Sequence, residues 1–408
     1  MTPPGLQVRR VRHPGARLAA LRLCVRVGSA DESPAERGMA HLLEHLVVRC
    51  AMGGGRVGGR VGGGGGGGAL VGAATGKEHT AYTVVVRPRD VAEALNVLTL
   101  AFEPLAVSEA VLAAELAAVS EERAHRESSV AWRLQQALFA ALWHGTPYAH
   151  PVLGDPSALA ALTPGEVSEF HARRYRPDLA HLTVAGDGLD IPARGDAVSC
   201  GDAVSCGDAV SCGDAVSCGD AVSCGNPVGE GLPAPAPGGV CASEAGEWVG
   251  FAFAEETAEA GEHHAAACRA VRAATGLEVH RLDLRGHVCT WVMVRARDAR
   301  AAHRAVTAAC LAARDRLLAG DGLEWLRSRV VIPELRRRDD VAVSAALGAF
   351  PEQSTAPPDT SALARLIGAW SERLAEPATA TAPSGASGAT GELSRVSGAS
   401  GAPSGVSG

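Results

Sequence analysis

Several things are scarce in this chain of 408 residues, and each scarcity excludes something. Aromatic residues make up only 4%, so a core has to be built from Leu, Val and Ala, which the 47% of hydrophobic residues supply. Lysine occurs once, at Lys77, and arginine carries the remaining positive charge. With a formal charge of −7 and no basic block, no footprint for nucleic acid and no polybasic membrane anchor is expected. No apolar run approaches the ~18 residues a membrane helix needs. Arg22 and Arg26 interrupt the first apolar stretch, so no secretory signal is expected and a cytoplasmic location is. The cysteines number eleven, five of them in one repeat and none in a C-x-x-C pair. That pattern argues against a disulfide framework or a thiolate zinc knot and fits a reducing compartment.

Three stretches stand apart by composition. Residues 51–69 are nearly all Gly, Arg and Val, residues 195–224 repeat GDAVSC five times before running into Pro, Ala and Gly, and residues 378–408 are mostly Ser, Gly, Ala, Thr and Pro. They read as a flexible insertion, a linker and a disordered tail. The repeat places a thiol every six residues but lacks the paired spacing of a metal site. The glycine tract contains G-x-G-x-x-G trivially, yet it is not held between a strand and a helix start as a phosphate loop must be. The Ser-rich tail contains no G-x-S-x-G nucleophile elbow. The expected organisation is a first unit over 1–190 carrying the glycine-rich insertion 51–69, a low-complexity segment over 191–240, a second unit over 241–375 and a tail over 376–408.

Periodicity fills in the units. Leu21, Leu23, Val25 and Val27 alternate with Arg22 and Arg26, the period of a half-buried strand, whereas Met39, Leu42, Leu43, Leu46 and Val47 follow helical spacing. Residues 69–88 read as two strands with a turn near Gly76. Helices are expected over 91–102, 109–125, 130–142 and 164–174, and a strand over AHLTVAG. In the second unit the strand WVGFAFA is followed by a helix over 259–274, strands over 277–284 and 288–294, and helices over 299–319 and 323–347, the last broken at Pro333. Interleaved helices and strands define an α/β layer, and the second unit's order partly echoes the first, as a diverged duplication would.

The chemistry lies in HLLEH. His41 and His45 stand one helical turn apart, so both imidazoles can reach one metal ion, and Glu44 points the same way. A catalytic zinc needs three protein ligands and an open position for water, beside which a carboxylate can take the proton. Two histidines and a base are present, and one ligand is missing. Chance supplies such a pattern in on the order of ~3% of chains this long. In ELAAVSEERAHRE, Glu115 and Glu122 lie seven residues apart and share a helix face, a pair that taken alone could equally be a solvated charged surface. His263 and His264 are adjacent and face apart, as surface residues do, while His79, His144 and His150 suit loop or edge positions.

VRVGSADESPAERGMAHLLEHLVVRC resembles the signature of the pitrilysin/insulinase metallopeptidases, the inverzincins, which include the mitochondrial processing peptidase. In that family the third zinc ligand is a Glu a little over seventy residues beyond the motif, with a second functional Glu seven residues before it. Here 76 residues separate His45 from Glu122, and Glu115 stands seven before Glu122. The resemblance therefore implies His41, His45 and Glu122 as ligands of one Zn2+ per chain, Glu44 as general base and Glu115 as support for the ligands. Glu121 competes as third ligand, but it sits about 100° round the helix and lacks a partner at minus seven.

The resemblance runs over about 15–187 and, weakly, 247–335. GAATGKEHTAYTVVV is similar to the family's edge-strand region, which makes Gly72, Ala73 and Thr75 substrate-binding candidates, and VRAATGLEV is similar to L-R-x-x-x-G-L-x-Y, which adds Arg272. Two positions depart from the pattern. Gly72 stands where the family usually has Asn, and Val279 stands at the Tyr that polarises the scissile carbonyl, a kind of contact worth roughly 2.7–4 kcal/mol. The implied fold is two homologous α/β-roll halves, each a mixed, mainly antiparallel sheet packed with helices, the second half shortened. The implied function is a zinc metalloendopeptidase acting on peptides or unfolded segments, with zinc-activated water, Glu44 as base and a homologous partner subunit in a hetero- or homodimer. The alternative is a zinc-retaining, non-catalytic subunit of a peptidase-like complex. An intact Glu44 favours the first, while Gly72, Val279 and the short second half favour the alternative.

Overall fold

A computed structural model describes residues 3–51, 69–189, 234–236, 238–244, 247–256, 263–331, 333 and 359–374. Most of the glycine-rich insertion, the GDAVSC repeat, the tail, the start of the helix expected at 259 and the reach of the 323–347 helix beyond Val331 lie outside the described residues.

The first half opens with strands β1 (Gln7–Arg12) and β2 (Ala19–Val25), helix α1 (Met39–Leu46), and strands β3 (Leu70–Thr75) and β4 (Thr80–Val86). Helices α2 (Val91–Thr99), α3 (Glu109–Ser128), α4 (Val130–Leu142), α5 (Pro156–Ala160) and α6 (Pro164–Arg174) follow, and β5 (Ala180–Gly186) closes it. The strands form one sheet in the order β1-β5-β2-β4-β3, antiparallel throughout except for the β1–β5 pair. β2 lies at its centre and is buried at every position. It is thus not the half-buried strand its alternation suggests: Arg22 is buried and donates to Thr83 Oγ1 across β4 at 3.0 Å. Leu21, Leu23 and Val25 project onto a core shared with Met39, Leu42, Leu43 and Leu46 of α1 and with α2, α3 and α6. Burying several such side chains, at ~1.5–3 kcal/mol each, seats α1 on the sheet.

The second half comprises β6 (Val240–Glu244), β7 (Trp248–Glu256), α7 (His263–Thr275), β8 (Val279–Leu284), β9 (His287–Arg295), α8 (Ala299–Leu318), α9 (Gly322–Leu326) and α10 (Thr360–Arg373). Its four strands, in the order β6-β7-β9-β8, are all antiparallel. One face packs against α7, α8 and α10. The opposite face receives α4 of the first half, whose Leu134, Leu138, Phe139 and Leu142 meet Ala252, Leu282 and Trp291. Gly250 permits this, since a Cβ there would lie 2.8 Å from Leu138 Cδ1. The expected class, a mixed α/β fold of helices packed on mainly antiparallel sheets, is the observed one.

Four elements went unanticipated: β1, α5, β6 and α10. The histidine pair also departs from expectation, because His264 is buried rather than superficial. Its Nε2 lies 2.5 Å from Thr290 Oγ1 and its Nδ1 3.4 Å from Glu255, which also accepts from Trp370 Nε1. The ring also packs against Trp370 of α10, with centroids 5.0 Å apart. His79 and His150 are likewise buried.

Candidate metal centre

Helix α1 begins at Gly38, whose φ of 99° only glycine adopts easily and which offers no side-chain cap. The missing cap comes from a distance. Glu32 accepts from the backbone N–H groups of Gly38, at 2.8 Å, and Ala40, at 2.7 Å, satisfying two of the helix's orphan donors and placing negative charge at its positive end. His150 Nε2 lies 3.4 Å behind that carboxylate. At its other end α1 widens into a π-turn over Val47–Ala51.

With Leu42, Leu43 and Leu46 in the core, His41, Glu44 and His45 share the remaining face and turn toward α3. Glu122 Oε2 lies 3.3 Å from His41 Nε2 and 3.5 Å from His45 Nε2. His41, His45 and Glu122 are the metal-capable group found among the described residues, their donor atoms within 4.8 Å of one another. Zinc bonds of about 2.0–2.1 Å place tetrahedral donors roughly 3.3–3.4 Å apart, so these residues fit the ion. Hydrogen bonds from both imidazoles hold the Glu122 carboxyl well below the usual range, and the bond to Glu122 raises His45. Glu121 is exposed and is no part of the cluster.

Glu115, two turns before Glu122, lies with Oε2 3.2 Å from His45 Nδ1 while its Oε1 accepts from Arg49 at 2.5 Å. A carboxylate on the far nitrogen fixes the ring's orientation and leaves Nε2 facing the cluster. Arg49 was not anticipated, although its place one turn after His45 was a signal. Glu44 accepts a 2.6 Å hydrogen bond from Thr75 Oγ1, and burial raises its pKa against the pull of His41, Thr75 and His45. Thr75, expected at the substrate, thus touches the expected base. Glu32, a loop residue nine positions before His41, was not singled out from the sequence, because no periodicity marks a cap supplied from a loop.

The remaining candidates lie elsewhere. Gly72 and Ala73 sit on β3, the outer strand of the first sheet, with Leu70 71% exposed and nothing within 4 Å of a Cβ built at Gly72. Arg272, in the second half, donates to the Val279 carbonyl at 2.9 Å and pairs with Glu278 at 3.0 Å, contacts that are local to its own sheet. Val279 is buried in the second core. No described helix is long and apolar enough to cross a membrane.

Comparison with known proteins bears on the fold that carries these residues. Residues 8–156 match the family Insulinase (Peptidase family M16). An uncharacterized zinc protease of Mycobacterium leprae is 33% identical over 188 residues, 45% of this chain and 41% of that protein, so the match spans less than half of the relative's length. Among solved structures, a protease from Helicobacter pylori superposes with a TM-score of 0.64 at 16% identity, covering 89% of this chain and 94% of that one. The periplasmic protease PqqL from Escherichia coli gives 0.56 at 18% identity, with 91% of this chain covering 44% of that chain. These likenesses establish the fold.

Proposed function

With its first half of the insulinase type, peptidase family M16, we propose that the protein is a zinc-dependent metalloendopeptidase that acts on peptides or unfolded segments. The observation that carries this reading is the meeting of His41, His45 and Glu122 beside a buried Glu44. A structural zinc site is closed by four protein ligands and has no use for a base, whereas three donors and an adjacent carboxylate suit hydrolysis.

His41, His45 and Glu122 would hold the metal. When bound it supplies a Lewis acid and an acidified water. Glu44 takes a proton from the attacking water and returns it to the leaving amine, and a carboxyl whose pKa burial has raised is suited to both transfers. Thr75 directs that carboxylate through the bond to Oε2. Glu115, braced by Arg49, orients His45. The outer edge of β3, from Gly72 to Thr75, pairs with no other strand among the described residues, and an extended peptide can add along it as a strand.

A homologous partner subunit completes the centre. Val279 cannot donate to a scissile carbonyl, and this chain is equivalent to under half of PqqL, so the donor would come from a second chain of similar fold. We place the protein in the cytoplasm, a reading supported by the buried thiols of Cys241, Cys289 and Cys310, none of which is held in a disulfide.

The test is hydrolysis of a mixed library of short peptides by the zinc-loaded protein and by Glu44→Gln, each with a homologous partner added. Cleavage by the former, reduced ~10²–10⁴-fold in the variant while zinc is retained, is the expected result. Gly72 and Val279 favour a second reading, a subunit that keeps zinc without turnover. Equal silence from both proteins, with zinc bound and a homologous partner added, would establish that reading instead.

A further inference from the structure

We propose that the β8–β9 turn of the second half clamps the two loops that place Glu44 and the start of α1, with Arg285 as the positioning residue. The inference rests on the reading of Glu44 as general base, and it concerns residues no part of that reading uses.

The two loops, 28–32 and 76–79, are joined to each other. Ser29 N donates to Gly76 O at 3.1 Å and Ala30 N to Lys77 O at 2.7 Å. They approach so closely that a Cβ on Gly28 would lie 2.5 Å from backbone atoms of Lys77 and Glu78. Each loop also leads directly to the candidate centre. The first ends in Glu32, whose carboxylate caps α1 through Gly38 and Ala40. The second begins one residue after Thr75, which holds Glu44.

Arg285 grips both from the other half of the molecule. Its backbone N–H donates to Glu78 Oε1 at 2.7 Å, and its guanidinium donates to Asp31 Oδ1 at 3.3 Å. Glu78 is 4% exposed and also accepts from the Tyr148 hydroxyl, while the other oxygen of Asp31 accepts from Gly28 N at 3.0 Å. Gly286, with φ 72°, forms the tip of the turn, and His287 packs edge-on against Trp143 at 5.5 Å, just beyond the C-terminal end of α4. Two carboxylates, the buried Glu78 and the partly buried Asp31, one on each loop, thus face a single guanidinium. Without it they would repel each other across the seam and part the loops, because truncating one member of a buried charge group leaves the others uncompensated. Both outputs would then loosen together: the cap on α1 and the aim of Glu44.

The test uses the full chain, with Arg285→Ala and Arg285→Lys compared by hydrogen exchange, zinc affinity and steady-state kinetics. In Arg285→Ala the amides of Ser29, Ala30, Gly38 and Ala40 should exchange about tenfold faster or more, with peptides from α2 and α6 unchanged. Peptide hydrolysis should show kcat down about tenfold or more at unchanged KM and zinc affinity, since the base is misaimed while the metal donors stay, and Arg285→Lys should recover part of both effects. Wild-type exchange at those four amides, uniform acceleration across the first half, or faster exchange with an unaltered kcat would each overturn the clamp. If the wild-type chain with a homologous partner added hydrolyses nothing yet the four amides respond, the enzymatic reading fails and the clamp stands. If both proteins hydrolyse alike and exchange alike, the clamp fails and the enzymatic reading stands.

Discussion

Lys77 is the chain's one lysine, and it is buried where the two halves meet, donating to the His150 carbonyl and lying 5.7 Å from the centre of the Phe139 ring. Burial pushes its ammonium down from 10.5 to about 8, with Glu32 pulling the other way. The unfolded chain therefore binds this proton more tightly than the folded one. The resulting cost to stability is fully present below about pH 8 and is relieved as pH climbs toward 10.5. The relief amounts to about 3 kcal/mol at most. Urea unfolding of wild type and Lys77→Met should show wild type gaining on the variant over that interval. A constant gap from neutral to alkaline pH would mean that Glu32 and its neighbours fully compensate the charge in the fold.

At the scale of elements, the candidate centre depends on how closely backbone can approach backbone. The loop between α4 and α5 presses on the start of α1: a Cβ on Gly154, whose φ is 72°, would lie 2.2 Å from Gly38 Cα and 2.3 Å from Arg37 O. Arg123, next to Glu122 on α3, donates to the Gly154 carbonyl at 3.1 Å, so one loop braces both helices that carry the donors. Gly154→Ala should cost on the order of 3 kcal/mol and weaken zinc retention about tenfold or more, read by thermal unfolding and chelator competition. Gly145→Ala is the matched control, with φ 75° but nothing within 4 Å, and should cost about 1–2 kcal/mol with zinc retention unchanged. Equal effects of the two would show that dihedral strain, not contact, governs the site. α1 and α3 were legible in the sequence because regular helices convert spacing into shared faces, which is how His41, His45, Glu115 and Glu122 emerged. β1 was not, because Val8 and Val11 break the period of two, and β6 was hidden in a Pro/Ala/Gly-rich run. Glu32, the contact of Thr75 with Glu44 and the burial of His264 depend on tertiary approach, on which local periodicity is silent.

Across the whole molecule the sequence suggests two successive units, while the packing interlocks them. α4 belongs to the first half by order in the chain and to the second by burial: Phe139 meets Trp291 edge-on at 5.4 Å, and Arg133 pairs with Glu244 at 2.8 Å. The second sheet is thus more than an appended wall, because it covers an apolar helix that the first half cannot cover alone and brings Arg285 to the loops beneath the centre. A fragment of residues 1–190 should consequently expose Leu134, Leu138, Phe139 and Leu142 to water. Exposing four such side chains forfeits ~1.5–3 kcal/mol each, comparable in sum with the stability of a whole domain. We expect the full chain to unfold in one cooperative transition, and the fragment to bind an apolar dye, self-associate on gel filtration and hold zinc less tightly. A monomeric, dye-free fragment with the full chain's zinc affinity would show instead that the first half is self-sufficient and that the second sheet leaves the centre's geometry untouched.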